Sequence, residues 1–150
     1  MTVRMELARI LIRELNDYQL IELREALEDG SREDASARSF PIVIGLPEAM
    51  AIDRRLKGIE ISRPQTHDLL ASVIEELGGR LESITLTDLS DQTFFATLDV
   101  RTPGGEVKHI DSRPSDAIAL GVSSNVPIYV AEHVLAAASA DTGRAGEADA

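Results

Sequence analysis

Two hydrophobic periods alternate irregularly along this chain, and their order constrains the fold more than any other feature of the sequence. In residues 94–100 an apolar residue recurs at every second position, the spacing that places these side chains on one face of a strand. In residues 66–77 apolar residues recur at every third or fourth position, the spacing of one face of a helix. Strands follow one another directly at some points and are separated by helices at others. This order predicts an α+β fold rather than a doubly wound parallel sheet.

The same patterns predict a single domain, with a mixed or antiparallel sheet and three to four helices packed on it. Strands are expected at 40–44, 84–87, 94–100, 106–111 and 128–130, and helices at 47–56, 66–77, 115–122 and 131–138. The turn at 90–92 joins two of these strands into a hairpin, and Thr66 is expected to be the N-cap of the second helix. Residues 3–27 fit either a helix or two strands, because their leucines have helical spacing while their isoleucine-containing runs suit buried strands.

Two segments lack the apolar side chains that a packed element needs. Residues 27–38 are polar and small, which predicts a surface loop. Residues 141–150 contain no apolar side chain larger than that of alanine, too little to offset the entropy of ordering. We therefore expect a domain at residues 1–138 and a polar, disordered tail at residues 139–150.

Composition narrows the chemistry that the chain can carry. None of the 150 residues is cysteine, which excludes disulfides, thiolate metal sites and cysteine nucleophiles. No apolar run approaches the roughly 18 residues of a membrane span, and Arg4, Glu6 and Arg9 interrupt the start, so we expect a cytoplasmic protein without membrane contact. The net charge of −11 disfavours a partner held mainly through nucleic-acid phosphates, unless divalent metal ions lie between carboxylates and phosphate.

Two segments fifty residues apart repeat one arrangement of polar residues before a helix. Ser62-Arg63-Pro64 precedes Thr66-His67-Asp68, and Ser112-Arg113-Pro114 precedes Ser115-Asp116. A structural interpretation explains both segments. Hydroxyls and carboxylates at a helix start satisfy free backbone N–H groups and complement the positive end of the helix dipole.

A functional interpretation gives these residues roles in phosphodiester hydrolysis. Arginines beside a helix N-terminus suit phosphate oxygens, which predicts a phosphate site at Arg63, Arg113 and Ser115. Carboxylate oxygens suit a divalent cation, which predicts a Mg²⁺ or Mn²⁺ site at Asp111, Asp116 and Glu48. With His67 as the general acid or base, the predicted catalytic set is His67, Asp68, Asp111 and Asp116.

Structural alternatives for the same residues stay open. The arginines can form ion pairs with neighbouring aspartates, and His67 can be an exposed residue in the first turn of a helix. Glu48 can be a carboxylate that is favoured by the dipole of its own helix. His109 and His133 have no motif around them and are expected on the surface.

Five stretches of the chain are long and unusual enough to compare with known families. They are FPIVIG with EAMAIDRRLKG, RPQTHDLL, DQTFFATLDV, IDSRPSDAIALG and VPIYVAEHVL. In this order and spacing, over about residues 40–135, they resemble the bifunctional nuclease domain family. The resemblance implies a hairpin of residues 5–12 and 18–24 before FPIVIG, an α+β fold that associates as a homodimer, and cleavage of DNA and RNA. It implies no established role for any residue of the matched motifs.

Three functions remain as alternatives at this point. The first is a nuclease that hydrolyses DNA or RNA with low sequence specificity and with the help of a divalent metal. The second is a non-catalytic interaction or regulatory module that acts as a homodimer, which the acidic charge and scarce aromatic residues favour. The third is a binder of small phosphates or other anions that uses the two helix N-termini.

Overall fold

The structure, a computed structural model, describes residues 1–13, 15–26 and 36–148, with side chains up to residue 140. Within these residues the strands are β1 (Thr2–Leu11), β2 (Gln19–Glu25), β3 (Ser39–Ile44), β4 (Arg80–Ser90), β5 (Thr93–Arg101), β6 (Val107–Ser112) and β7 (Ile128–Ala131). The helices are α1 (Leu46–Lys57), α2 (Thr66–Glu76), α3 (Pro114–Ser124) and α4 (Glu132–Ala148). The predicted α+β domain with a mixed sheet and three to four helices is confirmed.

The strands form one sheet in the order β3-β2-β1-β7-β4-β5-β6. Neighbouring strands are antiparallel, except that β7 runs parallel to β4. The first residues form two strands and not a helix: β1 pairs with β2, and β2 pairs with β3, as the family resemblance implies. Strand pairing favours two strands over a helix, because it satisfies the backbone hydrogen-bonding groups of both strands and buries alternate residues such as Ile21 and Leu23.

The sheet curves strongly around its core. Phe40 of β3 and Phe94 of β5 stack with their ring centroids 5.6 Å apart, although four strands separate β3 from β5 in the sheet. Strand twist, together with irregularities in the pairing of β1 and β4, accounts for such curvature. The curved sheet thereby brings the end of β3 close to the start of α3.

The helix α3 is deeply buried and holds the site described below. Its buried residues are mostly small: Ser115, Ala117, Ile118, Ala119, Leu120 and Gly121. A methyl group added to Gly121 would lie 3.4 Å from Ile84, at ordinary van der Waals distance, so this face of α3 packs directly against β4. Pro114 suits the first turn because its φ is fixed near the helical value. The packing of α3 thus fixes where Arg113 and Asp116, at its N-terminus, can lie.

Several element ends differ from the sequence predictions. The N-cap of α2 is Gln65 and not Thr66, because Asp68 accepts the backbone N–H of Gln65 at 3.0 Å and starts the helix one residue earlier. The helix α4 continues to Ala148, into the segment expected to be a tail; the division of the chain at residue 138 stays a prediction. Most of the loop predicted at 27–38 lies outside the described residues. In the part of the chain that the structure describes, no helix is long and apolar enough to cross a membrane.

Candidate active-site cleft

A cleft of about 700 Å³ lies where the first turns of α1, α2 and α3 meet the edge strand β6. Its lining combines apolar side chains with the polar residues of three helix starts: Pro47, Glu48, Thr66, His67, Leu70, Leu98, Ile110, Asp111, Ser112, Arg113 and Asp116. Each helix start carries free backbone N–H groups and the positive end of a helix dipole. The convergence of three starts therefore favours an anion in this cleft.

Short connections between strands and helices position the polar residues of the cleft. The strand β3 passes into α1 through Gly45, and Glu48 folds back over that glycine so closely that an added methyl group would collide with its carboxylate. The strand β6 passes into α3 through Arg113, which is the N-cap residue. Because neither connection contains a long loop, the side chains at both helix starts are held by the packed elements around them.

The side chain of Asp116 joins the two sequence segments that begin with Ser-Arg-Pro. His67 Nε2 lies 2.9 Å from Asp116 Oδ1, although the two residues are 49 positions apart. Arg113 donates from Nε to Asp116 Oδ2 at 2.9 Å and from a terminal nitrogen to Oδ1 at 3.3 Å. The predicted candidates His67, Arg113 and Asp116 therefore form one contiguous group at the cleft.

Charge at Asp116 is set by its partners. Burial by itself would raise the pKa of the Asp116 carboxyl, but hydrogen bonds from Arg113 and His67 outweigh burial and hold that pKa below its usual value. Asp116 is consequently ionised at neutral pH. The Asp116 side chain retains 30% of its possible exposure, so the pair is accessible from the cleft rather than sealed in the core.

The ionised Asp116 determines how His67 can act. A carboxylate accepts hydrogen bonds only, so it selects the neutral tautomer of His67 that carries its proton on Nε2. No described residue hydrogen-bonds the other ring nitrogen, Nδ1. The imidazole is thus oriented by Asp116 and has one nitrogen left to accept a proton, which is the arrangement of a general base held by a carboxylate.

Arg113 also lies near the carboxylate of Glu48, with 3.6 Å between its terminal nitrogen and Glu48 Oε1. The guanidinium therefore occupies the space between Glu48 and Asp116, two of the three residues predicted to hold a metal ion. Across the described residues, no three histidine or carboxylate side chains are grouped closely enough to hold a metal. The donor set does not fit a preformed metal site, and the predicted Mg²⁺ or Mn²⁺ site remains a prediction.

Asp111, the third predicted metal ligand, lies at the rim of the cleft on the edge strand β6. It is the register partner of Thr97 in β5. Since side chains alternate between the two faces of a strand, Asp111 shares a sheet face with Thr97 and His109, opposite to Ile110. The structure therefore places Asp111 at the rim of the cleft, on the sheet face opposite to Ile110.

Three other predicted residues lie away from the cleft. Asp68 accepts the backbone N–H of Gln65 and lies 3.3 Å from a terminal nitrogen of Arg55, so it caps the helix on the far side of His67. Ser115 is buried and borders a neighbouring cavity between β3 and the β4–β5 turn. Arg63 is exposed and does not line the cleft. The phosphate-binding role predicted for Arg63 and Ser115 therefore has no support from position.

We expect Asp68→Ala to reduce stability and to leave cleavage unaffected. The substitution removes the acceptor that caps α2, and the loss of such a cap costs about 0.5–2 kcal/mol in free energy of unfolding. Urea denaturation measures this cost, with Asp53→Ala as a control, because Asp53 forms an i,i+4 ion pair with the exposed Lys57 on α1. If Asp68→Ala slowed cleavage as much as Asp116→Asn, Asp68 would return to the catalytic set.

A second polar cluster was not predicted from the sequence. Asp99 is buried and accepts hydrogen bonds from the hydroxyls of Ser83, Thr85 and Thr97 at 2.7–2.9 Å, and its Oδ1 lies 2.8 Å from His109 Nδ1. His109 is 65% exposed, as expected for a surface histidine, yet one of its nitrogens is engaged. The available signal was the alternation of Thr85, Thr97 and Asp99 on one face of a hairpin.

Comparison with known proteins identifies relatives of the chain. Residues 31–143 match the bifunctional nuclease domain. An uncharacterized protein of Mycobacterium tuberculosis is 42% identical over 107 residues, which are 71% of this chain and 63% of that protein. Bifunctional nuclease 1 of Arabidopsis thaliana is 24% identical over 68% of this chain and 32% of its own length. Bifunctional nuclease 1 of Oryza sativa subsp. indica is 26% identical over 77% of this chain and 37% of its own length.

The matched region contains every element of the cleft. His67, Arg113 and Asp116 all lie between residues 31 and 143, which make up more than half of the chain. The chain spans less than two thirds of the mycobacterial relative and about a third of the plant relatives that it matches. From the matched region and the fold together, the chain belongs to the bifunctional nuclease domain family.

Proposed function

We propose that this protein is a nuclease that hydrolyses phosphodiester bonds of DNA or RNA at the cleft of His67, Arg113 and Asp116. The observation that supports this most strongly is the shared carboxylate: Asp116 binds His67 at 2.9 Å and Arg113 at 2.9 Å, at a cleft bordered by three helix starts. A base, its orienting carboxylate and a cation for phosphate are the groups that such a hydrolysis requires.

In this proposal Arg113 binds the scissile phosphate. The Arg113 side chain is 67% exposed, so it can bind phosphate oxygens with donors that do not face Asp116. The helix N-termini around the cleft add favourable electrostatic potential for the negative charge. Arg113 thereby places the phosphorus atom near the free nitrogen of His67.

His67 then moves the proton. Its Nδ1 accepts a proton from the attacking water, the water oxygen forms a bond to phosphorus, and the bond from phosphorus to the leaving oxygen breaks. The leaving oxygen takes up a proton, so that charge and atoms balance when His67 is returned to its neutral form. Asp116 stabilises the imidazolium that exists between the two proton transfers.

The acidity of the chain is the main physical obstacle to this proposal. With a net charge of −11 and with Glu48 and Asp111 at the cleft, a polyanionic substrate meets repulsion that Arg113 alone does not cancel. A divalent cation that arrives with the substrate would supply the missing positive charge; Asp111, Asp116 and Glu48 are its predicted ligands, although they do not form a preformed site. Activity that requires added metal would support this part of the proposal.

The test is cleavage of end-labelled DNA and RNA, each single- and double-stranded, by the full chain in Mg²⁺, in Mn²⁺ and in chelator. We expect cleavage of at least one substrate, with products that accumulate in proportion to protein concentration. Full activity in chelator would remove the metal from the proposal and keep the nuclease. Failure to cleave any of the four substrates under all three conditions would overturn the nuclease itself.

One observation favours the interaction module as a second function. No residue of α2 is buried, and Leu69, Val73 and Leu77 are 44–75% exposed. A partner surface, including the second copy expected from the family resemblance, would cover these side chains and remove apolar area from water. In that case light scattering would detect an assembly, and His67→Ala would leave that assembly unchanged.

A further inference from the structure

A second, smaller cavity of about 260 Å³ lies on the other side of the start of α2 from the cleft. It is open to solvent and is bordered by the end of α1, the segment that follows α1, the first turn of α2 and the end of α3. Its lining residues that carry polar side chains are Arg54, Arg55, Glu60, Gln65, Asp68 and Ser123. At roughly 30 Å³ per water molecule, the cavity has room for several waters or for one tetrahedral oxyanion with water around it.

Arg55 is unusual because its charged group is buried without a full set of partners. The Arg55 side chain is only 7% exposed. One terminal nitrogen donates to the Ala51 carbonyl oxygen at 2.7 Å, and the other approaches Asp68 Oδ1 at 3.3 Å without the geometry of a hydrogen bond. The Nε of Arg55 and that of its neighbour Arg54 are also buried and have no hydrogen-bond partner among the described residues.

The position of these arginines in α1 explains their charge, but not their burial. Cations in the last turn of a helix complement its dipole, which applies equally to Arg54, Arg55 and Lys57. Lys57 does so in the ordinary way: it is 62% exposed and pairs with Asp53. Two adjacent arginines thus border one cavity with donors that no described residue satisfies, and a buried N–H is costly unless some acceptor meets it.

We infer that this cavity binds a phosphate group, with Arg54 and Arg55 as its cationic ligands. A phosphate presents several acceptor oxygens that match the fork of an arginine. Because the unsatisfied nitrogens of Arg54 and Arg55 are buried, both side chains would have to turn into the cavity to reach it. The side chains of Gln65 and Ser123 add neutral donors at the same cavity.

Two carboxylates also face the cavity and select the form of the ligand. Asp68 is held by the Gln65 backbone and by Arg55, so part of its charge is neutralised. Glu60 is exposed at the cavity, and its carboxylate can accept a hydrogen bond from a ligand that carries a donor. A phosphate that keeps one proton supplies such a donor, so the site suits a singly protonated phosphate.

The first experiment is titration calorimetry of the full chain with inorganic phosphate, at an ionic strength held constant with sodium chloride. We expect saturable binding that becomes about tenfold weaker or more in Arg55→Gln and in Arg54→Gln. The matched control is Lys57→Gln, which removes an exposed cation from the same turn and should bind as the unaltered protein does. Circular dichroism of each variant checks its fold, and Arg54→Gln, which leaves the pair of Arg55 and Asp68 intact, serves if Arg55→Gln unfolds.

Two results would overturn the inference. One is the absence of saturable phosphate binding by the unaltered protein, which would mean that the cavity holds water only. The other is an equal loss of phosphate affinity in Lys57→Gln, which would mean that phosphate is attracted by the overall positive charge of this helix turn and not by a specific site. Arg113→Gln separates this site from the cleft: phosphate binding should survive in that variant whether or not the protein is a nuclease.

A second experiment distinguishes free phosphate from the terminal phosphate of a nucleic acid as the ligand. An oligonucleotide with a 5′-phosphate is compared with the same oligonucleotide carrying a 5′-hydroxyl, using Asp116→Asn protein to prevent cleavage. Tighter binding of the phosphorylated strand, lost in Arg55→Gln, would identify a terminal phosphate as the ligand. Equal binding of the two strands, together with binding of inorganic phosphate, would identify free phosphate.

Discussion

Asp116→Asn is expected to lower the rate of phosphodiester cleavage by about 10²–10⁴-fold, the range that a positioned general acid or base contributes. The substitution keeps the size of the side chain but replaces an acceptor with an amide that can donate. An amide N–H facing His67 Nε2 would favour the tautomer with its proton on Nδ1, the nitrogen that must accept one. Arg113 would also lose its charged partner. The measurement is the initial rate of cleavage of the substrate that the unaltered protein cuts best.

His67→Ala should cause a loss of similar size, and the double variant should be little worse than either single one, because the two residues act as a unit. The chain offers a matched control in His133 and Asp88, an exposed histidine–aspartate pair 3.4 Å apart that does not line the cleft. His133→Ala and Asp88→Asn should retain full activity. If Asp116→Asn and His67→Ala cleaved as fast as these controls, the site would lie elsewhere or the activity would come from a contaminant.

Asp99→Ala is expected to reduce the free energy of unfolding by about 3 kcal/mol, the scale of an unsatisfied buried polar group multiplied over several donors. Asp99 accepts from three hydroxyls, those of Ser83, Thr85 and Thr97, and the substitution leaves all of them without that acceptor. Urea denaturation followed by circular dichroism measures the change. Asp17→Ala, at an exposed carboxylate, should change stability by less than about 0.5 kcal/mol. A small effect at Asp99 would mean that water replaces the carboxylate at no cost.

Lowering the pH should also remove the stabilisation of the fold that Asp99 provides. Burial by itself would raise the pKa of the Asp99 carboxyl, but hydrogen bonds from His109, Thr85, Ser83 and Thr97 outweigh burial and lower that pKa below its usual value near 3.8. A carboxyl whose pKa is lower in the folded state stabilises the fold above the unfolded pKa and loses that effect as pH falls through the folded pKa. We therefore expect the melting temperature to drop below about pH 4, and Asp99→Asn to show a smaller drop. An identical drop in both proteins would assign acid sensitivity to other carboxyls, Asp116 among them.

Local patterns predicted most of the elements because their causes are local. The alternation at residues 94–100 and the helical spacing at residues 66–77 reflect which face of an element is buried, and both elements occur where expected. The N-cap of α2 was misplaced by one residue because Asp68, a side chain inside the helix, closes the first turn on Gln65. Residues 3–27 could not be decided from their own spacing, since it was pairing with β3 and β7 that made them strands.

By itself the sequence determined the fold class, the order of the elements from residue 40 and the residue types available for chemistry, because hydrophobic period, helix capping and composition act over short distances along the chain. Only the tertiary structure decided which of those residues meet. It placed His67 beside Asp116, turned Asp68 toward Arg55, and brought His109 to the buried Asp99. These contacts join residues at least 10 positions apart, where strand pairing and the packing of helices set the distance and no local pattern records it.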